Sequence, residues 1–495
     1  MSTTAALYQQ YREETQKIAD VRYANAVLQW DQETYLPPNG AEGRRRQLAT
    51  LSEVAHERFV TPAMGNLLRQ LADRTDLNGV QQKNVALSLL DYEKACKYTA
   101  AFVRTMSEAV STAYHAWIQA RTDNSFATFA KPLEALVQLK QQEADLLGYE
   151  GHEYNALLNE YEKGATVTML DGLFNEIRMP LKNLLDSILK KTSPDDSFLR
   201  QYFPRADQWS WANQLAGILG FDVNSGRQDI SEHPFTTNFN SMDVRITTRI
   251  NEHDFANMTW STIHEVGHAL YEQGLPENEY GLPLGEYASL GIHESQSRLW
   301  ENCLGRGKPF WQYHLPALQK LFPAQLGNIA VDDFVKGINK VAPSLIRTEA
   351  DELTYHFHVM IRYELEKLLI VGELQVADIP AWWNEQYKQM LGVTVPDDTR
   401  GCLQDVHWSH GSFGYFATYS LGSFYAAQFW KKVTGDFPNL QANLAATGNT
   451  DPLLQWLRPN IHRYGKLYTS EELCKKVTGS GLDSKVFFEY LKAKL

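Results

Sequence analysis

No stretch of this sequence approaches 18 uninterrupted apolar residues, so no membrane-spanning helix is expected. The opening Met-Ser-Thr-Thr-Ala-Ala-Leu lacks a basic segment followed by an apolar one, and no secretion signal is expected either. Cysteine is scarce: Cys96, Cys303, Cys402 and Cys474 are far apart, and none belongs to a Cys-x-x-Cys pair. That spacing argues against a disulfide framework and a thiolate metal site, and it makes the cytoplasm the expected compartment. Lys and Arg form no run that could neutralise a row of phosphates, and the net charge of -12 is spread along the chain. Nucleic acid is therefore not an expected partner. Internal repeats and low-complexity segments are absent too.

What is present is globular usage, with 43% hydrophobic residues, 21% charged and an aromatic share of 12%. At 495 residues the chain exceeds the usual limit for one core, about 250 to 300 residues, so one elongated body or two closely packed subdomains is expected. Up to about residue 200 the apolar positions recur at three and four, as in Leu87, Leu90 and Tyr92 through Ala95, Tyr98 and Phe102. This predicts a bundle of long helices. Pro37-Pro38-Asn39-Gly40 and Asn124-Ser125 supply turns, and a longer loop is expected at Thr192-Ser-Pro-Asp-Asp-Ser. Between about 229 and 252, β-branched and aromatic residues alternate with period two, predicting a small antiparallel sheet. Helical periodicity then resumes to the C-terminus, interrupted by a Gly-rich loop at 400–414 and a break at 446–451. The expected class is mostly α with one small sheet.

Immediately after the predicted sheet stands His264-Glu265-Val-Gly-His268, in a Pro-free segment from Phe255 to Tyr271 with Trp260, Ile263, Val266, Ala269 and Leu270 as apolar partners. On a helix, residues four apart sit about 40° from each other around the axis, so both imidazoles can face one ion. Glu265, about 100° from His264, can touch a water there without being a ligand. The bland alternative is a chance match, which context argues against. A catalytic zinc needs three protein ligands and an open position. Glu294, in Gly291-Ile-His-Glu-Ser-Gln, is the best third donor, with His293 as its rival. The turn-rich stretch from Gly274 to Gly285 is long enough to bring that segment back antiparallel to the first helix. Glu301, seven residues beyond Glu294, shares its helical face and could hydrogen-bond a ligand imidazole, though an ordinary surface carboxylate reads as well.

Two further clusters stand out. In Leu345-Ile-Arg-Thr-Glu-Ala-Asp351, Arg347 and Asp351 are four apart on a predicted helix and could form a surface pair. Arg347 is equally a natural fork for a free carboxylate. The loop from Gly401 to Trp408 and on through Tyr419 concentrates His, Gln, Asp and Tyr, which favours function over packing.

With these residues in view, the sequence resembles the carboxypeptidase Taq-like metallocarboxypeptidases. The family's motifs stand here, in order, as His233-Pro-Phe, Asp243-Val-Arg245-Ile-Thr247, His264-Glu-Val-Gly-His268, His293-Glu-Ser-Gln296, Ile346-Arg-Thr-Glu-Ala-Asp351 and Gly401-Cys-Leu-Gln-Asp-Val-His-Trp408. The likeness runs the whole chain, from Trp30-Asp31-Gln32 to Asn460-Ile-His-Arg-Tyr-Gly. It implies a single peptidase unit over 1–495, with helical residues 1–200 flanking a long active-site groove and 201–495 carrying the metal. It also implies a homodimer that removes single residues from peptide C-termini with broad specificity. By the same resemblance Arg347 binds the substrate's terminal carboxylate, Tyr419 and His407 lie near the scissile bond, and His233 and Arg245 line the groove. Asp351, like Glu301, is expected to support the site. The expected mechanism has one zinc ion per chain, or cobalt, held by His264, His268 and Glu294, with Glu265 as general base. The rival enzyme is a zinc oligopeptidase cutting internal bonds, and a noncatalytic scaffold with a closed structural zinc is the rival from another class.

Overall fold

The computed structural model describes residues 3–495. Long helices dominate, beginning with Thr4–Thr34, whose first turn is closed by the Thr3 side chain accepting from the Ala6 amide. A short turn at Pro38–Gly40 leads into Ala41–Phe59, as the Pro-Pro-Asn-Gly sequence predicts. Asn124 ends Ala100–Asp123 in the left-handed region at φ 50°, a conformation its short amide side chain tolerates. The run from Leu87 to Phe102 is divided between two helices, Gly79–Ala95 and Ala100–Asp123, and Leu90 points outward. Among the described residues no helix is long and apolar enough to cross a membrane.

Two apolar cores form. The smaller gathers Leu7, Tyr11, Ile18, Leu68, Leu71 and Tyr92 from the first helices, closed by Leu282. The larger runs from Ala113 to Leu491 and includes Phe198, Leu199 and Phe203.

The sheet has three strands, β1 (Gly226–Ile230), β2 (Thr236–Asn240) and β3 (Asp243–Thr248), in the order β1-β3-β2. β2 pairs with β3 antiparallel, while β1 pairs with it parallel, so the sheet is mixed where an antiparallel one was expected. Period-two alternation identifies strands but carries no direction; the loop from Ser231 to Phe235 lets the chain leave β1 and enter β2 beyond β3. Val244 and Ile246 of β3 turn fully into the core, toward the helix that carries the histidines.

Candidate metal centre and active site

The motif helix spans Phe255–Glu272 and starts on Asp254, whose side chain accepts from the Asn257 amide. A second helix, Leu290–Arg298, lies against it, and a third, Ala417–Asp436, covers the second. The pairings His264 with Glu301, Gly267 with Ser297, and Glu272 with His293 run in opposite senses, so the first two helices are antiparallel, as expected. Two glycines set the spacing. A Cβ on Gly267 would lie 2.6 Å from Ser297 Cα, and one on Gly422 would lie 2.5 Å from Glu294 Cγ. With both side chains missing, the middle helix is gripped closely from either side.

His264, His268 and Glu294 each offer one ligand atom, all within 4.8 Å of one another. His264 donates Nδ1–H to Glu301 Oε2 at 2.8 Å, and His268 donates Nδ1–H to the His293 carbonyl at 3.1 Å. Those bonds fix the tautomer that leaves each Nε2 lone pair free. The two Nε2 atoms lie 3.7 and 3.5 Å from Glu294 Oε2. Two imidazoles and a carboxylate suit a zinc-type ion and leave a fourth position open. His293 stands outside this group: its Nε2 bonds Glu272 Oε1 at 2.8 Å, and its ring stacks on His268. Glu301 does not continue a regular helix, because Leu299–Leu304 is a π turn, a widening often found at functional sites.

Glu265 turns toward the sheet, where Thr236 Oγ1 of β2 donates to its Oε2 at 2.5 Å. Burial raises its carboxyl above the ordinary range, against the lowering influence of His264 and Thr236. Both histidines, Glu265 and Glu294 line a cavity of about 440 Å³ whose other walls include Thr236, Tyr287, Tyr415 and Tyr419.

Behind Tyr419 lies a buried polar cluster. The Tyr419 hydroxyl is 3.2 Å from His407 Nε2, and its ring covers the Arg347 guanidinium at 4.8 Å. Arg347 is only 5% exposed; it donates Nε–H to Asp405 at 2.9 Å and an Nη1 hydrogen to the Tyr355 hydroxyl at 3.0 Å. Arg362 holds the other oxygen of Asp405 at 2.6 Å. Burial and the neighbouring Arg347 hold His407 neutral, its pKa lowered to about 3.

The profile of the Carboxypeptidase Taq (M32) metallopeptidase family matches residues 10–495. Carboxypeptidase 1 of Bacillus subtilis (strain 168) is 39% identical over 480 residues, covering 97% of this chain and 96% of that one. The chain belongs to the M32 carboxypeptidase Taq family. Among solved structures, a protein called CHT superposes with a TM-score of 0.97 at 58% identity, covering 99% of both chains. The M32 carboxypeptidase from Deinococcus radiodurans R1 does so with a TM-score of 0.97 at 38% identity, covering 99% of this chain and 98% of that one. The protein is thus a metallocarboxypeptidase, an enzyme of a family whose chemistry needs a divalent ion.

Not every expected residue meets at the cavity of this M32 enzyme. Arg347 forms no pair with Asp351, because Arg347–Glu349 is a single 3-10 turn and the regular helix starts only at Tyr355. Asp351 instead accepts from the Leu353 and Thr354 amides and the Thr354 hydroxyl, holding the turn that leads into that helix. Arg245 pairs with Asp243 on the same strand and packs over Trp30 and Phe239. His233 is exposed beside Pro234, which does line the cavity. Sequence reading missed Thr236, Tyr355, Tyr415 and Arg298. For Arg298 a signal existed, its spacing of four from Glu294; Thr236 gave none.

Proposed function

We propose that this metallocarboxypeptidase removes single residues from peptide C-termini with broad selectivity, using one zinc ion, or cobalt, held by His264, His268 and Glu294. The observation that carries the reading is the convergence of two Nε2 atoms, one carboxylate oxygen and the Glu265 carboxylate on one cavity. When bound, the ion supplies Lewis acidity, bringing the pKa of a water toward about 7 and polarising the scissile carbonyl. Glu265 takes a proton from the attacking water on a carboxylate oxygen and returns it to the leaving amine. Thr236 holds that carboxylate in place. Tyr419, backed by His407, offers a hydroxyl to the developing oxyanion, a type of donor worth roughly 3 kcal/mol.

Selection for a free C-terminus is assigned to Arg347. Two arginines share Asp405, which leaves a surplus positive charge behind the Tyr419 wall, and a terminal carboxylate is the group to balance it. His233 and Arg245 belong to the groove rim in this reading, and Asp351 supports the Arg347 segment by holding the turn that follows it. A homodimer follows from the family likeness, and the cytoplasm from the unpaired cysteines.

The test is Glu265→Gln assayed on a blocked dipeptide and on its C-terminally amidated form. We expect the variant to keep its metal and lose at least about 1,000-fold in kcat, and the wild type to spare the amide. Turnover like the wild type in Glu265→Gln ends the mechanism, and equal cleavage of the amide points to internal-bond cutting.

A further inference from the structure

Arg298 touches both carboxylates of the site at once. Its Nε–H donates to Glu294 Oε1 at 2.7 Å, and an Nη1 hydrogen donates to Glu301 Oε2 at 3.2 Å. The two oxygens of Glu294 are thereby divided: Oε1 accepts from Arg298 at 2.7 Å, while Oε2 faces the Nε2 atoms of His264 and His268 and accepts a longer bond, 3.3 Å, from the Ser297 hydroxyl. Glu301 Oε2 in turn accepts from His264 Nδ1, so the same guanidinium steadies the ring of one histidine. Arg298 is itself held, its guanidinium carbon 4.7 Å from the centre of the Tyr355 ring, whose hydroxyl accepts from Arg347. Spacings of four to Glu294 and three to Glu301 let one side chain reach both where the regular helix gives way to the π turn.

A positive side chain beside a cation site is costly if its only task is charge, since it repels the ion. Its worth lies in geometry. A free carboxylate can bind an ion through two oxygens; one whose Oε1 is engaged offers only the other. We infer that Arg298 is a positioning residue that keeps Glu294 a one-oxygen ligand and so preserves the open position that water and substrate need. This rests on the reading of Glu294 as a ligand.

The experiment uses the full chain loaded with cobalt, whose visible absorption is strong at four-coordinate sites and weak at five or six. In Arg298→Gln we expect weaker cobalt absorption and a kcat reduced about 10- to 100-fold with KM nearly unchanged. Arg298→Lys, which retains one donor for Oε1, should recover part of both. A folded Arg298→Gln protein that retains no cobalt overturns the assignment, because removing the charge and freeing Oε1 should hold the ion at least as well. Wild-type spectrum and kcat in Arg298→Gln overturn it. Should that variant not fold, Arg298→Lys decides: an intermediate spectrum and kcat support the role, and wild-type values refute it. His268→Ala separates the two readings. If it too keeps the wild-type spectrum, the ligand assignment fails; if it loses the spectrum while Arg298→Gln keeps it, only this inference fails.

Discussion

Glu366 lies beneath the loop that carries His407, and three donors converge on it: the Tyr154 hydroxyl, Trp408 Nε1 and the Gly414 amide. Burial pushes its carboxyl up to about 7 from an ordinary 4.5, although those donors and Lys140 pull the other way. The consequence for stability has a definite sign. Below about 4.5 folded and unfolded chains both carry the proton; between there and about 7 the unfolded chain releases it while the folded one keeps it. Stability is therefore lost as pH rises through that window. Glu366→Gln removes the titration. The stability of the wild type relative to this variant should fall by on the order of 2 to 3 kcal/mol between pH 5 and pH 8, measured by denaturant titration at each pH. A difference that does not change with pH would show that Glu366 ionises in the fold much as it does in water.

The three helices of the site act as one clamp, and its tightness depends on Gly267 and Gly422. Alanine at 267 meets backbone of the glutamate-bearing helix, which cannot yield without moving Glu294; alanine at 422 meets the Glu294 side chain itself. Each should cost about 1 to 3 kcal/mol of stability. Gly422→Ala should release metal to a chelator faster than Gly267→Ala does, relative to the stability each loses, because its clash falls directly on the ligand. Equal release at equal stability would deny the glycine its link to the ligand. This clamp was partly legible in the sequence: the spacing of four placed His264 and His268 on one face, and the turn-rich stretch before residue 290 announced the antiparallel return that brings in Glu294. What could not be read were partners set by packing. Arg347 finds Asp405, 58 residues away in sequence, through the larger core, and the parallel pairing of β1 with β3 follows from chain crossing that alternation does not encode. Helix wheels describe one element at a time; buried charge pairs and strand direction are properties of several.

Across the whole molecule, the ion belongs to a body that its apolar residues already fill. Ile263 and Val266 from the motif helix, Ile292 from the next, and Leu421 and Phe424 from the third are all fully buried in the larger core. A metal becomes indispensable to folding where the core is too small to hold a chain together, which is not the situation here. The site cavity also shares Tyr287 and Leu290 with an adjoining hollow of about 730 Å³, which gives an extended peptide room to lie beyond the reacting bond. Both features separate a catalytic ion from a structural one. Binding at 1,000 times the dissociation constant adds only about 4 kcal/mol to the folded state. For a chain of this length that moves the melting temperature by less than about 10 °C. Chelation should therefore abolish release of the terminal residue from a blocked dipeptide while far-UV circular dichroism stays that of the loaded protein. Adding back zinc or cobalt should restore the activity. If helicity collapses together with activity, the ion holds the fold; if activity survives complete removal, the histidines and Glu294 serve something other than hydrolysis.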